Sequence, residues 1–329
     1  MKDKTESRLA GVRGVVDTHC HIQFADYPLD ASEVWNDAKK AGVEKILVVG
    51  DDVASSQRAV DFAKGRDGVY AVVGVHPHNS AKFLAEPDSK RRVEAMLDNA
   101  EANKIVAVGE FGLDYYYKNS PKEAQIEVLR YQLELLQRYN LPANFHIRSG
   151  LPKALLSSAT PQERSGHFSA VDVSSDMPPS DKIPASSHVD APGRQKILEG
   201  TDLDAFDDFW PIFDEFHAKS AISGVVHCFT AGIAELDEAL KRGLYIALNG
   251  IMTFTKDQKQ LEAAKAIPLE KLLLETDAPF LTPTPFRGKI CKPEYTVRTA
   301  EFLANLRNED LGVVTEATTE NAIKLFNLK

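Results

Sequence analysis

Eight short, continuous apolar runs, each followed by a helical pattern or by room for one, limit what this chain can fold into more than any other feature. They are Val15–Val16 with the residues just after them, Lys45–Gly50, Val69–Val75, Ile105–Val108, Pro142–His146, Gly224–His227, Leu244–Leu248 and Leu272–Glu275. Continuous rather than alternating hydrophobicity fits parallel strands buried on both faces. Helices read at Ala31–Ala41, Val53–Lys64, Arg91–Asn103, Pro121–Tyr139 and Ile233–Arg242, with Gly42 and Gly243 as stops, and again around Glu294–Leu306 and Thr319–Phe326. The Pro121–Tyr139 segment carries Ile126, Leu129, Leu133 and Leu136 on one stripe. The pattern predicts an α/β fold, a (β/α)8 TIM-type barrel formed as one domain over residues 1–329. An open doubly wound sheet needs a glycine-rich phosphate loop after an early strand, and the sequence offers none.

Barrels of this kind carry their chemistry at the C-terminal ends of the strands. Residue types that bind metals fall at five of those ends: His19 and His21 on the first, Glu110 on the fourth, His146 on the fifth, His227 on the sixth and Asp277 on the eighth. Two histidines separated by one residue share a strand face, which makes His19 and His21 half of a divalent-metal site, while Cys20 points into packing. The set assembles into two sites, one of His19, His21 and Asp277 and the other of His146 and His227, with the two oxygens of Glu110 bridging them. Paired divalent ions ~3.5–4 Å apart suit phosphodiester hydrolysis, because the attacking and leaving oxygens both need charge stabilisation and water is acidified towards pH ~7. Asp277 is a candidate general base as well as a ligand; its alternative is a turn residue before Ala278-Pro279.

Other residues near these ends have two readings each. His76 and His78, flanking Pro77, either touch a substrate phosphate or close their loop. Asp114 precedes Tyr115, Tyr116 and Tyr117, which either stack on a base or pack at the rim. Arg148 and Arg287 are partners for substrate anions or members of surface salt bridges.

A net charge of −9 leaves no broad basic surface for nucleic acid, so a nucleic-acid substrate has to be held locally, with cations in place of missing Lys and Arg. Three cysteines argue for a reducing compartment without a disulfide framework, and Cys228, like Cys20, is expected on the strand face opposite its neighbouring histidine. The first thirteen residues are polar and no window approaches ~20 apolar residues, so the expectation is a soluble protein of the cytoplasm, with the nucleus as a second location, and without membrane partners. Residues 157–193, rich in Ser, Pro, Ala and Asp, read as a mobile insertion between strands five and six, available to a protein partner. His167 and His188 inside it, and His217 on the aromatic helix that follows, read as solvent-facing or packing residues.

The segments DTHCH, GVHPH, AVGEFGLDYY, LPANFHIR with Gln125 and Gln132 upstream, VVHCFTAG, LLLETDAPFLTP with RGK after it, and ENAIKLF together resemble the TatD family of metal-dependent hydrolases, within the wider amidohydrolase-like barrels. The resemblance runs from about Val15 to Phe326, and the insertion reads as a eukaryotic-type variant of it. It implies a Mg²⁺-, Mn²⁺- or Zn²⁺-dependent deoxyribonuclease, commonly a 3′→5′ exonuclease, with two divalent ions on His19, His21, Glu110, His146, His227 and Asp277 and substrate contact by His76 and His78. Two departures stand out: Ile290-Cys291-Lys292-Pro293 replaces a polar run after Arg287-Gly288-Lys289, and the connection after strand five is longer than the family's. Hydrolysis of another ester or an amide, and a partner-binding role for the inserted loop, are the alternatives. A carboxylated lysine ending the fourth strand would favour the first of these; Glu110 stands there instead.

Overall fold

The computed structural model describes residues 14–117, 119–150 and 203–329. The insertion expected at 157–193, with His167 and His188, lies outside the described residues. Eight parallel strands pair in strictly sequential order: β1 (Val15–Cys20), β2 (Val43–Val49), β3 (Val69–Val73), β4 (Ile105–Asp114), β5 (Ala143–Arg148), β6 (Gly224–Val226), β7 (Tyr245–Leu248) and β8 (Leu272–Leu274). The ring closes where β8 returns to β1. A parallel bridge joins Cys20 to Ala278, the Asp277 N–H donates to the His19 carbonyl (2.8 Å), and the His21 N–H donates to the Ala278 carbonyl (2.7 Å). Closure therefore places residues 19–21 beside residue 277.

The described helices around the ring are α1 (Ala31–Lys40), α2 (Val53–Ala63), α3 (Ser80–Ala85), α4 (Ser89–Leu97), α5 (Lys122–Tyr139), α6 (Ala205–His217), α7 (Ile233–Lys241), α8 (Gln258–Ala266), α9 (Thr296–Arg307) and α10 (Leu311–Phe326). Local chemistry sets several of their starts: Asp30 accepts from the Ser32 and Glu33 N–H groups, Asp52 and Ser55 form a reciprocal box, and Asp204 accepts from Phe206 N–H. One apolar layer lies between strands and helices. A second joins Val16, Leu47, Tyr70, Val72, Val225 and Tyr245 to Leu325, Phe326 and Leu328 of the C-terminal segment. Because Val16, Tyr70 and Tyr245 sit at strand beginnings, that segment seals the end opposite the chemistry.

The architecture matches the sequence reading, and the differences have local causes. β4 runs on through Glu110 to Asp114, whereas the apolar run ends at Val108. Two glycines make the extension possible. Gly112 pairs with His146, and a Cβ on it would stand 1.9 Å from the His146 carbonyl oxygen. α4 ends at Leu97 rather than Asn103. α10 starts at Leu311, not Thr319, because an Asp310 cap overrides the weak propensity of Gly312, Val313, Val314 and Thr315. α3 and α8 carry too little apolar periodicity to be read beforehand. β6 stops at Val226, so His227 and Cys228 lie past the strand; Cys228 takes a left-handed φ of 49° and is not on a strand face at all.

Adding a single methyl at the β4–β5 contact tests this packing. Gly112→Ala should destabilise the fold by about 2–3 kcal/mol and lower its melting temperature by several degrees, because backbone must move to admit it. An unchanged thermal melt would show that the two strands do not approach as described.

Candidate active site and metal centre

Helix α5 braces the strands beneath the site. Gln125 and Gln132, two turns apart and buried, each turn their amide onto backbone near a strand end. Gln132 accepts from Val75 N–H (2.8 Å) and donates to the Val75 carbonyl (2.9 Å); Gln125 accepts from Asp114 N–H (2.8 Å) and donates to the Asp114 carbonyl (3.0 Å). The backbone just before His76 and just past Glu110 is thereby fixed by one helix.

Above this brace the six expected ligands converge. Glu110, 5% exposed, divides its two oxygens between two histidine pairs. Oε1 lies 3.4 Å from His21 Nε2 and 3.8 Å from His19 Nε2; Oε2 lies 2.9 Å from His227 Nε2 and 3.6 Å from His146 Nδ1. Asp277 Oδ1 completes the first group, 3.4 Å from His21 Nε2 and 3.7 Å from His19 Nε2. Asp277 also makes a turn, its carbonyl accepting from Phe280 N–H, so the turn and the inward-facing carboxylate coexist.

Acceptor-only neighbours set which ring nitrogens are free. His21 Nδ1 donates to the Val49 carbonyl (2.8 Å), leaving Nε2 as the lone pair that faces Glu110. His146 Nε2 donates to Asp114 Oδ2 (3.0 Å), so its free nitrogen is Nδ1. Within each pair the facing nitrogens are 3.1 Å apart, His19 Nε2 to His21 Nε2 and His146 Nδ1 to His227 Nε2. A proton on one nitrogen makes each contact a hydrogen bond, and a metal ion could take that proton's place, since nitrogen ligands ~2.0–2.1 Å from a tetrahedral ion stand ~3.3 Å apart. The donor set of imidazoles and carboxylates fits Zn²⁺ or Mn²⁺ readily and Mg²⁺ through its carboxylates. Clusters suited to divalent metals are thus present among the described residues: His19, His21 and Glu110; His76, Glu110 and His146; His19, His227 and Glu275; and His76, His78 and Asp114.

Charge follows the same division. Burial opposes ionisation of Glu110, but the imidazoles around it, with His227 and His146 the ones that carry a proton readily, hold it well below the usual carboxylate range. Burial also opposes charge on His21, His146 and His227, yet the carboxylates prevail. Asp277 and Glu110 raise His21 to about 9, Asp114 and Glu110 raise His146, and Glu110 and Glu275 raise His227 far above 6.5. His19 goes the other way, lowered by burial and by the facing His227.

The remaining expected residues separate into two groups. His76 Nδ1 accepts the His78 backbone N–H (3.1 Å), which puts its ring proton on Nε2, and burial followed by the adjoining His78 and His146 keeps it neutral. In this conformation His76 offers its Nε2–H beside Glu110 and His146, and the same ring belongs to two clusters that could hold a metal, one with Glu110 and His146 and one with His78 and Asp114. His78 Nε2 lies 3.1 Å from Asp114 Oδ2. Arg148 lays its guanidinium over Tyr116 (4.0 Å) and Tyr117 (5.0 Å), next to the charge of Asp114. Arg287 is elsewhere: it donates to the Thr282 carbonyl (2.8 Å) and stacks on Phe254 (3.8 Å), bracing its own loop. His217 accepts from Ile222 N–H and stacks on Phe213, a packing residue as expected.

Four polar residues that organise the site had no assigned role from sequence. Asp114 is held by the Tyr116 and Tyr117 N–H groups through Oδ1 and offers Oδ2 to His146. Glu275, fully buried, accepts from Cys228 N–H (2.7 Å) and Asn249 Nδ2 (3.0 Å) and faces His227 Nδ1 at 3.7 Å. Asp17 accepts from the Thr276 N–H and hydroxyl and so clamps the approach to Asp277. Asn249 and Glu275 end the apolar runs of β7 and β8, so the strand-end rule applied to polar residues generally would have found both.

A sequence model described as TatD related DNase matches residues 16–169 and 201–327. The uncharacterized metal-dependent hydrolase YabD of Bacillus subtilis is 32% identical over 312 residues, spanning 95% of this chain and 98% of that protein. A deoxyribonuclease, Tat-D, of Schizosaccharomyces pombe is 28% identical over 337 residues, spanning 92% and 88%. Among solved structures, the TatD homologue YJJV of Escherichia coli K12 superposes with a TM-score of 0.71 at 25% identity, over 96% of this chain and 98% of that one.

Two measurements test the geometry. Asp114→Asn should leave the fold intact and weaken binding of one of two divalent ions by ~10–100-fold, because His146 loses the acceptor that fixes its tautomer; titration calorimetry reads it, and equal affinity for both ions would refute the role. The pH dependence has a defined sign. A protonated His21 contributes stability to the metal-free fold fully below pH 6.5, and this contribution is lost as pH rises towards about 9, whereas cation binding needs that proton gone. The gain in melting temperature on adding metal should therefore grow steadily from pH 6 to pH 9, and a gain that shrinks over this range would contradict the assignment.

Proposed function

The chain belongs to the TatD-related DNase family of metal-dependent hydrolases, and on that premise we propose that it cleaves phosphodiester bonds of DNA, removing nucleotides one at a time from 3′ ends. The observation that carries this reading is the division of Glu110 between two histidine pairs, which suits two cations sharing one carboxylate. Bound there, divalent ions supply Lewis-acid stabilisation of the phosphate oxygens and a lowered pKa for the attacking water. The chain's own residues do the rest. His19, His21 and Asp277 would hold one ion and His146 and His227 the other, and Asp277, the most exposed carboxylate of the group, is placed to accept a proton from the attacking water. His76 donates its Nε2–H towards a non-bridging phosphate oxygen, with His78 beside it. Arg148, stacked on two tyrosines and, among the described residues, without a carboxylate in direct contact, offers its guanidinium to the phosphate on the substrate side. Arg287 supports the loop around the site in place of a direct contact. Among the described residues no helix is long and apolar enough to cross a membrane, and Cys20, Cys228 and Cys291 are free thiols.

Purified protein with end-labelled single- and double-stranded DNA, in a metal series and in EDTA, tests the reading. Single nucleotides should appear before internal cuts, and EDTA should abolish release. Early cleavage of circular DNA would contradict an end-directed enzyme, and hydrolysis of amide or lactone substrates without DNA turnover would favour the alternative class. Glu110→Gln should remain folded and lose at least ~100-fold in turnover. An acidic surface and a compact site should give a shallow plot of log affinity against log salt, with a slope of roughly −1 to −3.

A further inference from the structure

Two of the four ligand histidines have their own acceptors on the nitrogen turned away from Glu110: the Val49 carbonyl for His21 and Asp114 for His146. The other two do not. His19 and His227 stack nearly parallel, with ring centroids 4.0 Å apart and planes 10° from each other, and both present Nε2 to Glu110, at 3.8 and 2.9 Å. Their Nδ1 atoms are buried and, among the described residues, have no hydrogen-bond partner. Glu275 shows the converse. Its side chain is fully buried; Oε1 accepts from Cys228 N–H (2.7 Å) and Asn249 Nδ2 (3.0 Å), while Oε2 has no donor among the described residues. His19, His227 and Glu275 each bring a nitrogen or carboxylate oxygen within 4.8 Å of the other two, and Glu275 Oε1 lies 3.7 Å from His227 Nδ1. Buried polar atoms are nearly always paired, so two orphaned imidazole nitrogens and one orphaned carboxylate oxygen in a single cluster point to one another.

We propose that Glu275 is a positioning residue shared by both metal ions: it accepts from Nδ1–H of His19 and of His227, and thereby turns both Nε2 lone pairs towards Glu110. The inference rests on the two-ion part of the reading above, in which His19 belongs to one ion and His227 to the other, and is independent of the substrate. Movement of about half an ångström, or one bridging water, converts the 3.7 Å approach into a hydrogen bond. A carboxylate suits the role because it only accepts. Each ring that faces it keeps a proton on Nδ1 and leaves Nε2 free for a cation. The orientation of Glu275 is itself set: the Cys228 backbone, at its left-handed φ of 49°, turns its N–H onto Oε1, and Asn249 donates to the same oxygen. Glu110 faces both histidine pairs directly, and Glu275 couples them from behind, through one histidine of each pair.

Titration calorimetry of the metal-free full-length chain with Zn²⁺, beside proton–nitrogen spectra of the zinc form labelled with ¹⁵N-histidine, tests the proposal. In wild type, His19 and His227 should both bind zinc through Nε2 and both show a slowly exchanging Nδ1–H. Glu275→Gln keeps the shape of the side chain and a carbonyl towards Cys228 and Asn249, but turns an amide N–H donor onto the rings. It should weaken both ions by about tenfold or more and remove both Nδ1–H signals. Glu275→Asp, which keeps an acceptor, should recover part of the affinity for both ions. Asp114→Asn, by contrast, should weaken one ion only. Zinc bound through Nδ1 of either ring, a third ion among His19, His227 and Glu275, or a Glu275→Gln variant that weakens one ion or neither would each overturn the assignment. A lower melting temperature with unchanged zinc affinity would mark Glu275 as structural. Should Glu275→Gln fail to fold, the wild-type spectrum and Glu275→Asp decide. Uptake of a single ion by wild type would instead refute the two-ion reading, and the Nδ1–H signals would still report whether Glu275 serves both rings.

Discussion

Everything on the catalytic rim depends on keeping one buried carboxylate ionised. Glu110 sits at 5% exposure, where an unpaired charge is untenable, and four imidazoles surround it at 2.9–3.8 Å. Those rings compensate it only if they carry protons or share cations with it, so protonated histidines or bound metal would each balance its charge. The surrounding acceptors bias that exchange. Val49 and Asp114 each accept a hydrogen bond from the nitrogen that faces away, and Glu275 stands behind His227. Orientation of the ligands is thus set by groups that do not themselves face Glu110.

The fold supplies these positions through ordinary packing. A closed parallel barrel brings residue 277 to residues 19–21, two close-packed glycines let β4 continue past Glu110 against β5, and a pair of glutamines on α5 anchors the backbone on either side. The two flanks of the centre then differ in character. On the side of β3, β4 and β5 lie His76, His78 and the Arg148–tyrosine stack, whose donors suit a phosphate. On the side of the β1 loop the contact is apolar, with Phe24 stacked on His21.

The barrel and the six convergent residues were legible in the sequence because both depend on short-range pattern. Apolar runs without alternation mark strands covered on two faces, and polar residues that interrupt such runs stand at strand ends. What pattern could not convey was pairing in space. Nothing local in LDYYY indicates that Asp114 turns back onto His146, and Glu275 and Asn249 are ordinary polar residues until β7 and β8 lie side by side. Arg287 follows the same logic in reverse: its place in a motif suggested a substrate contact, while its geometry ties it to Thr282 and Phe254. Helix α10 was foreshortened in the sequence because β-branched residues mask a start that one capping aspartate restores.

The central claim is that one carboxylate joins two cations, and anomalous diffraction from crystals grown in Mn²⁺ tests it most directly. The account predicts two peaks ~3.5–4 Å apart on either side of Glu110, one among His19, His21 and Asp277 and one against His146 and His227. A single peak, or a second peak held by His76 and His78 away from Glu110, would contradict it.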